Sequence, residues 1–151
     1  MTSVCATFFA EGATKSAIKA GQLRVSLGIP ESDTVFLFMA KFVDRKRPLD
    51  LIAAAVKNKE CCNFHVILVG GGELMEVCQS AITANQLDNV HLVGFINQTE
   101  LPTYYAAADV FVLPSHYETW GLVLNEAMAC GLPGIVSDTC GAKQDMIIEG
   151  K

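Results

Sequence analysis

A doubly wound α/β fold, a parallel sheet with helices on both faces, is what this sequence predicts, and three observations predict it. Short runs rich in apolar, β-branched and aromatic residues alternate along the chain with stretches of helical pattern. Repeated β-α units of this kind imply a parallel sheet joined by right-handed crossovers. Most of the strand-like runs are continuously apolar, with no alternation, as expected of strands covered on both faces. Finally, 151 residues that are 51% hydrophobic and 18% charged suit one domain with a sizeable core.

Taken in order, the chain opens on a helix near 13–27, and LGIPESD (27–33) separates it from the first strand, VFLFMA (35–40). A helix over 48–59 leads to FHVILVG (64–70), and a helix over 73–85 leads to VHLVG (90–94). The helix at 99–107 precedes DVFVLPS (109–115), and the helix at 121–130 precedes GIVSD (134–138). Gly131 followed by Pro133 provides a C-cap and a stop for that last helix. Residues 1–33 read as a linker-like segment with the leading helix. Residues 34–151 read as the ligand-binding domain, cut as another turn begins at MIIEGK.

Bulk properties exclude several classes. A net charge of −5 argues against nucleic acid or an anionic membrane as the primary partner. No apolar run approaches the roughly 20 residues needed to cross a bilayer, and MTSVCATFFAEG lacks the basic and apolar regions of a signal peptide. The six cysteines (5, 61, 62, 78, 130 and 140) form neither a CxxC nor a Cys/His zinc pattern. They read as reduced thiols acting as small apolar residues. No metal-ligand cluster is expected.

Ligands of open parallel sheets bind beyond the carboxyl ends of the strands, and four loops at that edge carry polar or glycine-rich sequence. In AKFVDRKRP (40–48), Lys41, Arg45, Lys46 and Arg47 make four of the eleven basic residues in the chain. A cluster of this kind beside a helix start suits an anion, most plausibly phosphate, although charged loops are also common as solvated surface. VGGGE (69–73), which holds Gly72, lacks GxGxxG and is served equally well by a tight turn. GFINQTE (94–100) is the third loop. PSHYETWG (114–121) is the fourth, and it places Gly121 where a helix begins, so amides near 121–123 are donors at a positive helix end. Glu118 and Glu126 flank that start with seven residues between them. Such a pair allows acid/base catalysis, hydroxyl clamps, or a dipole partner and an exposed helix residue.

PSHYETWGLVLNEAMACGLPGIVSD resembles the glutamate–seven residues–glutamate motif of retaining glycosyltransferases with the GT-B fold, of the group 1 or family 4 type. AKFVDRKRPLDLIAA, VILVGGGE and VHLVGFINQTELPTYYAAADVFVLPS resemble that family's basic loop, glycine turn and base-side segment, in the same order. The resemblance implies a Rossmann-like donor domain, half of a GT-B enzyme, holding a nucleotide-diphospho-sugar, UDP- or GDP-linked, with no cofactor and no metal. It implies that Lys41 and Lys46 contact the diphosphate and that backbone groups at Ile96 hold the base. Gly72 lies in the glycine turn of the same donor site. Gly121 opens the helix whose Leu122 and Val123 amides take the phosphates, Glu118 holds the transferred sugar and Glu126 the ribose. Lys46 and Glu118 are then the residues nearest the chemistry, which is positioning and charge stabilisation with no protein nucleophile. Where the family has a Gly-Arg pair this chain has Ala40-Lys41, and where it has a glycine after the second lysine this chain has Arg47. The partner implied is an N-terminal acceptor-binding domain, to which VCATFFAEGATKSA resembles the connection; without it the expected activity is binding without transfer. Exposed apolar surface at that junction leads to an expectation of self-association. A cytoplasmic location is expected, with peripheral attachment at the inner membrane open to the full-length enzyme. A free-standing nucleotide- or partner-binding module and a fragment of a GT-B sugar-nucleotide epimerase are the alternatives.

Overall fold

The strand-like runs pair into one sheet because they share no other way to bury two apolar faces at once. A computed structural model describes residues 7–9, 11–12, 15–60, 63–119 and 121–141. In it α1 spans Ala17–Ser26, β1 Thr34–Met39, α2 Pro48–Asn58, β2 Phe64–Val69 and α3 Met75–Ala84. Beyond these, β3 is Val90–Gly94, α4 Leu101–Ala107, β4 Val110–Leu113, α5 Leu122–Ala129 and β5 Gly134–Val136. A single 3-10 turn, Asp44–Lys46, lies between β1 and α2. Every expected strand and helix is present. The strand at 90–94 has the expected bounds, the first strand is shifted one residue earlier, and the others are shorter than expected by one or more residues. Residues 13 and 14 of the leading helix lie outside the described residues. The fourth strand stops at Leu113 because Pro114 has no N–H to give a ladder.

All pairings are parallel and the strand order is β3-β2-β1-β4-β5. The chain steps outward from β1 through β2 to β3, then returns by α4 to the other side of β1. Strand order therefore reverses between β1 and β4. Alternation along β1 feeds two cores. Val35, Leu37 and Met39 join Ile67, Phe111, Tyr105 and Leu124 on the face carrying α4 and α5. Phe38 joins Val66, Leu68, Ile52 and Cys78 on the face carrying α2 and α3.

Coverage of the sheet is less complete than the apolar runs suggest. Helices α2 and α3 belong to the β1-β2-β3 half, and no described residue closes the same face over β5. Ile135 is 56% exposed there. It helps to line an apolar groove of about 510 Å³ with Phe36, Leu51, Phe64, Val66 and Val112.

Helix α1 is fastened to the domain by Arg24. Its Nη2 bonds Asp109 Oδ2 at 2.6 Å, its Nε bonds the Ala107 carbonyl at 2.8 Å, and Val35 N–H also donates to Asp109 at 2.7 Å. Phe9, further upstream, is fully buried in the α4 and α5 core. At the amino edge of the sheet, His65 and His91 stack with Nδ1 and Nε2 3.0 Å apart, and Asp33 lies 3.3 Å from the outer nitrogen of His65.

Two glycines let the loops after β1 and β2 touch. A Cβ on Gly70 would lie 2.0 Å from the Ala40 carbonyl oxygen, and one on Gly72 would lie 2.5 Å from that of Phe42. The loop after β1 also contains Arg47 in the left-handed region, φ 56°, immediately before Pro48 opens α2. That conformation costs a non-glycine residue roughly 1–2 kcal/mol. It explains on physical grounds why glycine suits this position. Arg47→Gly is therefore expected to raise the thermal unfolding midpoint by a few degrees, net of the small loss of the exposed Arg47–Asp50 pair. Calorimetry checks this, and an unchanged or lower midpoint would count against the strain.

Candidate functional site

Reversal of strand order between β1 and β4 opens a crevice at their carboxyl ends, where open parallel sheets hold ligands. The loops leaving those two strands meet across it. His116 N–H donates to the Arg45 carbonyl at 2.8 Å. Lys46, positioned by the 3-10 turn, forms an ion pair with Glu118. Their side chains are only 11% and 13% exposed. Two residues expected to touch different parts of one ligand thus neutralise each other.

Glu118 is held at its backbone as well. It bridges Cys140 as a parallel pair, and its carbonyl accepts from Gly141 N–H at 2.9 Å. A Cβ on Gly141 would lie 2.1 Å from the Thr119 carbonyl oxygen, so only glycine allows this approach. The Ser115 carbonyl accepts hydrogen bonds from Ser137 and from Thr139 Oγ1. The segment after β5 therefore clamps the loop that carries Glu118.

Three of the four basic residues separate into different roles. Lys46 faces Glu118; Lys41 is exposed and lines a cleft beside the ion pair. Arg47 turns away to Asp50, with contacts at 2.9 and 3.1 Å, and its guanidinium is held further above its ordinary value by that carboxylate. Arg47 adds its charge outside the crevice.

Gly121 caps α5 in a left-handed conformation, φ 72°, that favours glycine, and a Cβ there would be tight, 3.2 Å from Cys140 Sγ and 3.4 Å from Glu118 Cγ. Leu124 N–H returns to the Gly121 carbonyl at 2.8 Å, while the amides of Leu122 and Val123 belong to the first turn, which has no intrahelical acceptors. Leu122 exposes 57% of its surface. Next to this helix start lies a cleft of about 400 Å³ walled by Lys41, Gly70, Gly71, Phe95, Ile96, Val123 and Glu126. The structure therefore gathers Lys41, Ile96, Val123 and Glu126 around one cleft. Lys46 and Glu118 form the adjoining pair, and Gly121 joins the two groups. Gly72 stands apart, packed on the Phe42 backbone, and Gly70 and Gly71 supply the glycine wall instead.

Glu126 is not the exposed helix residue that one sequence reading allowed. It is half-buried on the cleft side of α5 and accepts a hydrogen bond from the Tyr105 hydroxyl at 2.9 Å. Burial pushes its carboxyl pKa up, and the phenol's hydrogen bond pulls against that rise. Sequence reading missed Tyr105. The available signal was a tyrosine on the core side of a helix, whose hydroxyl needs a partner. Cys78, Cys130 and Cys140 are free thiols, and burial with Glu126 close by pushes Cys130 up to about 12, which leaves it unreactive. Cys5, Cys61 and Cys62 lie outside the described residues. Among the described residues no group of three His, Cys, Asp or Glu could hold a metal, and no helix is long and apolar enough to cross a membrane.

The profile of the family described as Glycosyl transferases group 1 matches residues 20–151. The chain is 35% identical over 121 residues to an uncharacterized glycosyltransferase of Methanocaldococcus jannaschii, covering 78% of this chain and 30% of that protein. It is 34% identical over 139 residues to D-inositol 3-phosphate glycosyltransferase 2 of Catenulispora acidiphila, covering 85% of this chain and 32% of that one. Among solved structures, Anabaena HepE in complex with UDP-glucose superposes with a TM-score of 0.75 at 28% identity, over 87% of this chain and 36% of that one. The chain spans about a third of the length of these relatives.

Because Glu126 has a raised pKa, its protonated form is favoured more in the folded than in the unfolded chain. That contribution to stability is fully present below the ordinary glutamate value of 4.5 and is lost as pH rises through the raised folded value. At neutral pH the carboxylate is therefore a cost to folding. Glu126→Gln keeps an acceptor for Tyr105 and is expected to unfold at a higher temperature than the parent at pH 7. The difference should shrink as pH falls toward 4.5. Thermal unfolding between pH 5 and 8 checks this, and a variant less stable at pH 7 would contradict it.

Proposed function

Because the chain belongs to the Glycosyl transferases group 1 family, we propose that it is the donor-binding domain of a retaining GT-B glycosyltransferase, gripping a nucleotide-diphospho-sugar in the crevice between β1 and β4. The observation that carries this is the meeting of Lys46 and Glu118 beside the start of α5, with the Lys41 and Glu126 cleft adjoining. A carboxylate on either side of a cation and a helix N-terminus suits a diphosphate flanked by two sugars.

In this reading the diphosphate takes Lys46 from Glu118. The lysine, Lys41 and the amides of Leu122 and Val123 neutralise the phosphates, and Glu118, released, accepts hydrogen bonds from the hydroxyls of the transferred hexose. Ribose lies at Glu126 and the base against Ile96, with Gly70 and Gly71 allowing close approach. No carboxylate here acts as nucleophile. As the glycosidic bond to phosphate breaks, negative charge grows on the leaving diphosphate, and cation and helix terminus stabilise it where it grows. Donor binding with this set of positive groups needs no divalent metal, and UDP or GDP is the expected nucleotide. The acceptor comes from a separate domain, so hexosyl transfer requires that domain to be present.

Thermal shift of this chain with UDP, GDP and ADP, each with magnesium and with EDTA, tests the proposal. One diphosphate should raise the midpoint by several degrees, equally in both conditions. Lys41→Met should cut that rise without changing the midpoint of the free protein, since Lys41 is exposed. No response to any nucleotide would overturn the reading.

A further inference from the structure

The Tyr105 hydroxyl is fully buried, yet it points at the wall of the cleft. Its ring is fixed edge-on by Phe9 at 5.7 Å and tilted against Phe111 at 6.1 Å, so the phenol oxygen has little freedom. That oxygen lies 2.9 Å from Glu126 Oε2 and 3.5 Å from the carbonyl of Val123, one turn earlier on α5. Among the described residues, Oε1 of Glu126 has no hydrogen-bond partner. One carboxylate oxygen is thus fastened from behind and the other is left for the cleft.

We propose that Tyr105 is a positioning residue for Glu126, holding its carboxylate so that the free oxygen meets the ribose hydroxyls of the bound nucleotide. The inference rests on the proposed donor site and adds a residue that touches no ligand. A glutamate has three rotatable bonds, and freezing it on binding carries an entropic cost. Tyr105 meets that cost when the protein folds, which leaves more of the hydroxyl contact to appear as affinity. Burial together with the nearby Glu126 carboxylate holds the phenol far above its ordinary pKa, so it remains a donor at every working pH. Phenylalanine would fill the same space and keep both ring contacts, so the hydroxyl can be removed alone.

The test is calorimetric titration of this chain with UDP and GDP and with the 2′,3′-dideoxy form of whichever binds more tightly. The parent should favour the ribonucleotide by about ten-fold or more, as hydrogen bonds to a charged acceptor warrant. Tyr105→Phe should weaken the ribonucleotide about five-fold and leave the dideoxy form unchanged. Repeated in a Glu126→Ala background, where no carboxylate is orphaned, Tyr105→Phe should have no effect on either ligand. That second cycle also serves if the single variant folds poorly. Equal weakening of both ligands, or an effect that persists without Glu126, would overturn the proposal and leave Tyr105 a core residue. Ribose selectivity in the parent that Tyr105→Phe does not change would do the same, with the donor-site reading intact. A parent that does not distinguish the two forms would remove the ribose role of Glu126, and this inference with it.

Discussion

One ion pair organises the functional edge of this molecule. Lys46 and Glu118 arrive on loops from β1 and β4, the two strands between which the sheet changes direction, and they meet almost out of water. Leaving either charge there without its partner would cost on the order of 3–5 kcal/mol, so the loops cannot separate freely unless something replaces the contact. A diphosphate for the lysine and hydroxyls for the carboxylate are such replacements. The pair therefore holds the two loops together, and in the proposed reading a ligand with both features is the one that releases it at little cost.

The backbone around the pair is built for close approach. Gly121 starts α5 against Glu118 and Cys140, Gly141 passes under the Thr119 carbonyl, and Gly70 lies on the Ala40 carbonyl. A single methyl group would block the approach at Gly141 and Gly70, and at Gly121 it would press on both neighbours. These glycines bring chain to chain, and that proximity forms a cleft with a charged wall at Lys41 and a half-buried carboxylate at Glu126. Rigid cores on both faces of β1 hold the arrangement from below.

Much of this was legible in the residues. Continuous apolar runs announced the strands, and the punctuation by Gly131 and Pro133 placed the last helix to within one residue. The site edge followed from the parallel topology, since loops after strands must converge there. Contacts set by three-dimensional packing were not legible. Nothing in the spacing of Lys46 and Glu118, 72 positions apart, says that they pair. Nor does the triple glycine reveal that Gly70 and Gly71 face the cleft while Gly72 faces Phe42. Arg47 looked like one more cation of the basic loop, until its left-handed backbone and its bond to Asp50 turned it outward. Tyr105 was missed because its partner, Glu126, lies on another helix.

The most direct test of the exchange at this site is a double-mutant cycle on Lys46→Met and Glu118→Gln. Unfolding by denaturant would be measured for the parent, both single variants and the double variant, with no ligand and with nucleoside diphosphate saturating for each. In the free protein the two side chains should couple by about 1–3 kcal/mol, and saturating nucleotide should reduce that coupling toward zero as phosphate takes the lysine. Coupling of the same size with and without nucleotide would contradict the exchange and make the pair a fixed strut of the fold.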